Sequence, residues 1–164
     1  MGNFEIMIAD ITDIPQILEI KKQSHEYFVK SKPDIYTESD ILYTEDFLQD
    51  FFQSESKHVI ITKIENRIVG YAFVQSINIQ LPMMTNRMYV YVHDMAVLMS
   101  FRNHGIATGL LEYIENYSLK IGASSIELAV HLFCKNAISL YRKNGFNART
   151  IRMEKQLIRN LYET

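Results

Sequence analysis

VYVHDMAVLMSFRNHGIATGLL, residues Val90 to Leu111, decides how this chain is read. It opens as a strand: Tyr89 to Val92 are aromatic or β-branched, and the apolar character runs on to Val97. It closes as a helix, with Ile106, Leu110, Leu111 and Ile114 at helical spacing. Between them lies a polar turn, Arg102-Asn103-His104-Gly105. A strand that passes through a glycine-bearing turn into a helix start presents unpaired N–H groups and the positive end of the helix dipole. That combination suits a phosphate or pyrophosphate. Gly105 has no Cβ, so a ligand can come close to the backbone there.

Upstream, Phe4 to Ile8 alternates as a first strand. Thr12-Asp13 and Pro15 start a helix over residues 13 to about 29, which Lys32-Pro33-Asp34 breaks. A second helix is expected over about 38 to 52. His58 to Ile64 and Ile68 to Ile77 read as a hairpin turning at Glu65-Asn66-Arg67, and Gly70 suggests a bulge or close packing. Residues 78 to 86 form a loop whose Leu81, Pro82, Met83 and Met84 pack on their own domain or cover a pocket or partner surface. Downstream, Gly122 ends the central helix and Ser125 to His131 is the next strand. Asn136 to Lys143 is a short helix, and Phe146 onwards returns as one or two strands ending near Leu157. The order β-α-α-β-β-β-α-β-α-β is mixed α/β, with helices on both faces of a sheet.

The chain has 164 residues, expected to form one domain over 1–164, and its composition is that of a globular protein: 48% apolar and 22% charged. A formal net charge of −2 points away from nucleic acid as a partner. Cys134 is the lone cysteine, which excludes an internal disulfide and multi-cysteine metal sites and fits a reducing cytoplasm. No signal segment or membrane-length apolar run is seen, so no membrane partner is expected; with a single cysteine, no metal is expected either.

Arg102-Asn103-His104-Gly105-Ile106-Ala107 matches a short pattern: Gln or Arg, two residues, Gly, one residue, then Gly or Ala. Ala137-Ile138-Ser139-Leu140-Tyr141-Arg142-Lys143-Asn144-Gly145-Phe146 matches A-x-x-L-Y-x-x-x-G-F at the expected separation, and Arg152 to Lys155 looks like a final strand. In these features nearly the whole chain resembles the GNAT superfamily of acyl-CoA-dependent N-acyltransferases. The resemblance implies one GNAT-type domain with a central, mixed but mostly antiparallel sheet flanked by helices. It also implies acetyl-CoA as the acyl donor.

By that resemblance, Asn103, His104, Gly105, Ile106, Ala107 and Thr108 hold the pyrophosphate beside Arg102. Met95, Ala96 and Val97 on a bulged central strand pair with the pantetheine arm. His104 either donates to a phosphate or faces water. The motif tyrosine, Tyr141, either protonates the leaving thiolate or only packs on the cofactor. Where many members carry an asparagine that bonds the cofactor arm, this chain has Cys134, a weak donor, and Asn136 compensates with Ala137 beside it.

A lysine-like amine has a pKa of about 10.4, so some group must take its proton before attack. The positions where the family often has a carboxylate are Tyr91 and Ala129 here. Alternation puts Tyr89, Tyr91 and His93 on one strand face, and Glu127, Ala129 and His131 on one face of the next strand. His131 and His93 are therefore candidate bases beside a water-mediated route, and Asp94 lies next to the expected bulge. The acceptor is a small-molecule or peptide amine. From Asp34 to Glu55 there are seven acidic residues and no basic one, a rim for a cationic amine or simply a solvated face. His25, Tyr27, Phe28, Tyr36 and Tyr91 are candidate acceptor contacts. Two other readings stand beside the enzyme: a CoA-binding module without turnover, and a homodimer built on Met83, Met84 and the C-terminal strand.

Overall fold

The computed structural model describes residues 3–155 and 157. Five strands run in spatial order β1 (Glu5–Ile8), β2 (Lys57–Ile64), β3 (Arg67–Ile79), β4 (Arg87–Val97) and β5 (Ser125–Leu128). The first four pair antiparallel and β5 joins β4 in parallel, which makes the sheet mixed and mostly antiparallel. The helices are α1 (Ile14–Ser31), α2 (Glu45–Gln53), α3 (Ile106–Lys120) and α4 (Lys135–Lys143).

Each face of the sheet carries its own core. On one, Ile17 and Ile20 of α1 and Phe51 of α2 meet Val59, Ile61, Tyr71 and Phe73. On the other, Ile106, Leu110 and Ile114 of α3 meet Ile60, Ala72, Val74, Val90 and Val92. Strand alternation divides β3 between them, Tyr71 and Phe73 to the first, Ala72 and Val74 to the second. Gly70 lets α3 come close: a Cβ there would lie 3.0 Å from Ile106. Its partner on β2 is Thr62, next to a register shift between Thr62 and Lys63, so the glycine marks both close packing and an irregular ladder. No helix of the described residues is long and apolar enough to cross a membrane.

Three boundaries differ from the sequence reading. The second helix begins at Glu45 instead of residue 38, because the Thr44 side chain accepts from the Phe47 N–H and Glu45 and Asp46 suit the first turn. The fifth strand stops at Leu128, three residues early. The strands expected from Phe146 to Leu157 are absent among the described residues, while Gln156 lies outside them. Alternating Ile151, Met153 and Leu157 resemble a half-buried strand, yet all three are more than 80% exposed. Alternation stabilises a strand only when a sheet receives one face. Here the segment is tied by a side chain, with the Arg149 guanidinium donating to Glu127 of β5 at 2.5 Å.

Candidate active site

The turn before α3 has the shape its sequence suggests. After a single 3₁₀ turn at Met99–Phe101, Asn103 sits at φ +64° and Gly105 at φ +81°. Both angles lie in the left-handed region, which asparagine tolerates and glycine adopts freely. Nothing lies within 4 Å of a Cβ built on Gly105, so its requirement is the backbone angle rather than space. Gly105 caps α3 and has no side chain to bond the first N–H groups. The amides at Ile106, Ala107 and Thr108 are thus without a side-chain cap, at the positive end of a 15-residue helix. His104 Nδ1 donates to the Arg102 carbonyl at 2.8 Å, and Arg102 Nε donates to the Val97 carbonyl at 3.2 Å.

β4 leads into this turn through a bulge. Phe73 faces Asp94 and Val74 faces Val92, which leaves His93 without a partner on β3. The bulge breaks alternation: Val92 packs toward α3, and Met95 does too, while the two residues between them both point toward α1 and α2. β5 pairs with β4 only from Tyr89 to Val92. Beyond that point Met95, Ala96 and Val97 have β3 on one side and no β5 partner on the other. β5 ends at Leu128, opposite Val92, which leaves the following edge of β4 open.

Asp94 occupies the centre of that region. Its Oδ2 accepts from Lys21 Nζ at 2.6 Å, from the Tyr43 hydroxyl at 2.5 Å and from the Tyr71 hydroxyl at 3.2 Å. Burial, and then the charge on Asp94, push the Tyr43 and Tyr71 phenols well up, so both remain donors. Among the described residues the partners of Asp94 all use Oδ2. The sequence flagged Asp94 only by its place next to the bulge; Lys21, Tyr43 and Tyr71 come from distant parts of the chain.

Tyr141 stands on α4, near enough to Asp94 to feel its charge. Its phenol is pushed up to about 12 by burial first, then by the charge of Asp94, then by Cys134. It therefore stays protonated at neutral pH. Full transfer to a thiolate of ordinary pKa, about 8.5, would be uphill by roughly 5 kcal/mol, so such a phenol acts mainly as a hydrogen-bond donor. Phe146 packs against its ring at 5.6 Å, and the Phe146 N–H donates to the Tyr141 carbonyl at 3.0 Å. Cys134 caps α4 two helical turns before Tyr141, on the same face, with Asn136 and Ala137 in the first turn. Burial pushes the Cys134 thiol up, which keeps it neutral.

Four of the five expected acceptor contacts meet in one cluster. Phe28 lies 5.1 Å from the Tyr36 ring, 5.8 Å from His131 and 5.6 Å from Phe133. Tyr27 lies 6.2 Å from Phe133, and His25 contacts Tyr36 edge-on while its Nε2 donates to the Thr37 carbonyl. The Tyr36 hydroxyl is 2.7 Å from His131 Nε2. Phe133 was not expected; it follows His131 at strand spacing, where nothing in the sequence marks it. Tyr91, the fifth, packs on His93 at 4.9 Å instead. His93 turns to Gln75 and to the edge of Phe51, and its imidazole is pushed down by burial and then by Lys57. Glu127 is held by Arg87 and Arg149. Of the acidic run, Asp50 pairs with Lys57 and Asp34 with Lys32. Among the described residues no group of three metal-ligating side chains occurs.

A sequence model of the Acetyltransferase (GNAT) family matches residues 16–146, which span the bulged strand, the turn and α4. The chain belongs to the GNAT family. No curated protein sequence matches this GNAT chain. Among solved structures, a mutant of the BH1408 protein from Bacillus halodurans is 27% identical at a TM-score of 0.89, covering 94% of this chain and 99% of its own. The aminoglycoside N-acetyltransferase AAC(6')-Iy in complex with CoA is 16% identical at a TM-score of 0.71, over 96% of this chain and 97% of its own. An aminoglycoside acetyltransferase from an uncultured soil metagenomic sample, in complex with sisomicin, is 15% identical at a TM-score of 0.67, over 94% and 97%. At such identities the latter two share the GNAT fold with this chain.

Proposed function

We propose that the chain transfers an acetyl group from acetyl-CoA to a primary amine of a small molecule or peptide. The observation that carries this reading is the uncapped start of α3 beside the open edge of β4. The backbone amides of Ile106, Ala107 and Thr108 hold the CoA pyrophosphate, with Arg102, Asn103 and His104 around it. The backbone groups of Met95 to Val97 on the edge away from β3 pair with the pantetheine arm and set the thioester beside Tyr141. An N–H of that edge faces the carbonyl oxygen as negative charge develops on it. Tyr141 donates to the leaving sulfur. Cys134, Asn136 and Ala137 line the same arm at the start of α4. A GNAT neighbour solved with CoA supports the choice of donor.

The acceptor side is aromatic near the reacting end: His25, Tyr27, Phe28 and Tyr36 form its wall with His131 and Phe133. Such a wall suits an amine attached to an apolar or flat body, and an adjacent cation gains from the ring faces.

The test is CoA release from acetyl-CoA with 2-phenylethylamine, spermidine, kanamycin and a lysine-containing peptide, beside a CoA-binding titration. Amine-dependent release with a mass gain of one acetyl group on the amine is the expected result. CoA binding without transfer to any of the four would leave the chain a binding module and overturn the enzyme reading.

A further inference from the structure

We propose that Tyr36 and His131 form a proton relay for the acceptor amine, with the Tyr36 hydroxyl as the atom that meets the substrate and His131 as the exit to solvent. This rests on the acetyl-transfer reading above. Three other groups near the site are otherwise engaged. Asp94 Oδ2 holds three donors and its charge is paired with Lys21 at 2.6 Å. His93 is turned into the contact with Gln75 and Phe51. Glu127 sits between two arginines. The imidazole of His131 is different: it bonds a phenol at 2.7 Å and is itself exposed.

The surroundings fix the pair. Phe133 stacks on His131 at 5.2 Å and 30°, and Phe28 meets both rings edge-on. Tyr36 is half-buried and His131 is open to water, so the pair runs from the inside of the cluster outwards. His131 lies three residues before Cys134, and the Cys134 N–H donates to the His131 carbonyl at 2.9 Å. From Cys134 the same face of α4 leads to Tyr141. Burial and then Cys134 push up the Tyr36 phenol, and burial, Asp94 and then Cys134 push up the Tyr141 phenol, so the thiol neighbours both.

The step balances. An N–H proton of the ammonium moves to Tyr36 Oη as the Tyr36 proton moves to His131 Nε2; the imidazolium gives its Nδ1 proton to water, and exchange with water then moves the remaining proton from Nε2 back to Nδ1 before the next turnover. The neutral amine then forms the C–N bond and the C–S bond breaks with its electron pair on sulfur. Tyr141 holds the leaving sulfur by a hydrogen bond while solvent supplies the thiol proton, and the second proton lost by nitrogen goes to solvent. One proton is released per turnover. Tyr36 is the catalytic residue of the pair and His131 acts through it.

The experiment measures kcat and KM of wild type, Tyr36→Phe, His131→Gly and the double variant, using whichever of the four amines turns over fastest. CoA affinity and melting temperature serve as folding controls. The relay predicts that each single variant loses roughly 100-fold in kcat at unchanged KM for acetyl-CoA, and that the double variant loses no more than either single. It also predicts that added imidazole restores His131→Gly but leaves Tyr36→Phe unchanged. Additive losses, unaffected kcat, or failure of imidazole to restore a folded His131→Gly would overturn the relay alone. A wild-type chain inert with all four amines overturns the acetyl-transfer reading and the relay with it. Should either variant fail to fold, nitrogen NMR of wild type decides: His131 protonated at Nδ1 and accepting at Nε2 supports the relay, and the opposite tautomer refutes it.

Discussion

Asp94→Asn removes one charge and keeps the shape of the side chain, so it isolates what the carboxylate does at the bulge. Wild-type Asp94 takes a charged donor, Lys21, at 2.6 Å and two phenols at 2.5 and 3.2 Å. The amide oxygen can still accept from the phenols, so those bonds persist in weakened form. Lys21 instead loses its counter-ion while only 22% of its side chain is exposed. An exposed pair contributes about 0–1 kcal/mol and breaking a fully buried one costs roughly 3–5; a pair one-fifth exposed lies between, at about 2–3 kcal/mol. For a chain of this size that is a fall of roughly 5–10 °C in melting temperature. Lys21→Met combined with Asp94→Asn leaves no stranded charge and is expected to cost less than Asp94→Asn alone. Removing the carboxylate also lowers the Tyr141 phenol from about 12 toward its ordinary value of 10.0, since Asp94 is its second-largest perturber after burial. Urea unfolding reads the first effect, and ultraviolet titration against a Tyr141→Phe reference reads the second. A loss under about 0.5 kcal/mol, with Tyr141 unmoved, would refute the role of Asp94 as the charged hub of the site.

Tyr141→Phe should lower kcat roughly 10- to 100-fold, the worth of a hydrogen bond to a charged group, with a smaller rise in the KM for acetyl-CoA; steady-state kinetics at saturating amine checks this. Gly105→Ala places a Cβ at φ +81°, at a conformational cost of about 1–2 kcal/mol. CoA affinity by calorimetry should therefore weaken about 5- to 30-fold, while Asn103→Gly should stay close to wild type. His58 of β2 meets Tyr117 of α3 edge-on at 5.2 Å, and burial pushes its imidazole down. The unfolded chain binds this proton more readily than the folded one. Stability is thus fully present above the ordinary imidazole value of about 6.5 and is lost as pH falls from there toward the lowered folded value. His93 acts in the same direction. His58→Phe should flatten the acid limb of unfolding free energy against pH.

The strand-turn-helix at Val90 to Leu111 was legible because its signals are local: β-branched residues, a glycine where φ must be positive, then apolar residues three and four apart. The two cores followed from the same periodicities. Asp94 was legible only by its place next to the bulge, because alternation cannot say which residue of a bulged strand is the extra one. Its partners also lie 73, 51 and 23 residues away, at distances in sequence that carry no pattern. The grouping of His25, Tyr27, Phe28 and Tyr36 was foreseen as a set, but its closure by His131 and Phe133 depends on where β5 ends, and that end was placed three residues too late. The final strand misled for the opposite reason: Ile151, Met153 and Leu157 alternate correctly, and no sheet edge receives them among the described residues.

The proposed CoA site, the start of α3 together with the open edge of β4, is open to direct test. Amide NMR during a CoA titration tests it directly. Saturable binding is expected, in which the amides of Gly105 to Thr108 and of His93 to Val97 shift most, with inorganic pyrophosphate moving only the first group. Saturation with CoA that leaves both groups in place, or shifts clustered elsewhere on the chain, would contradict it.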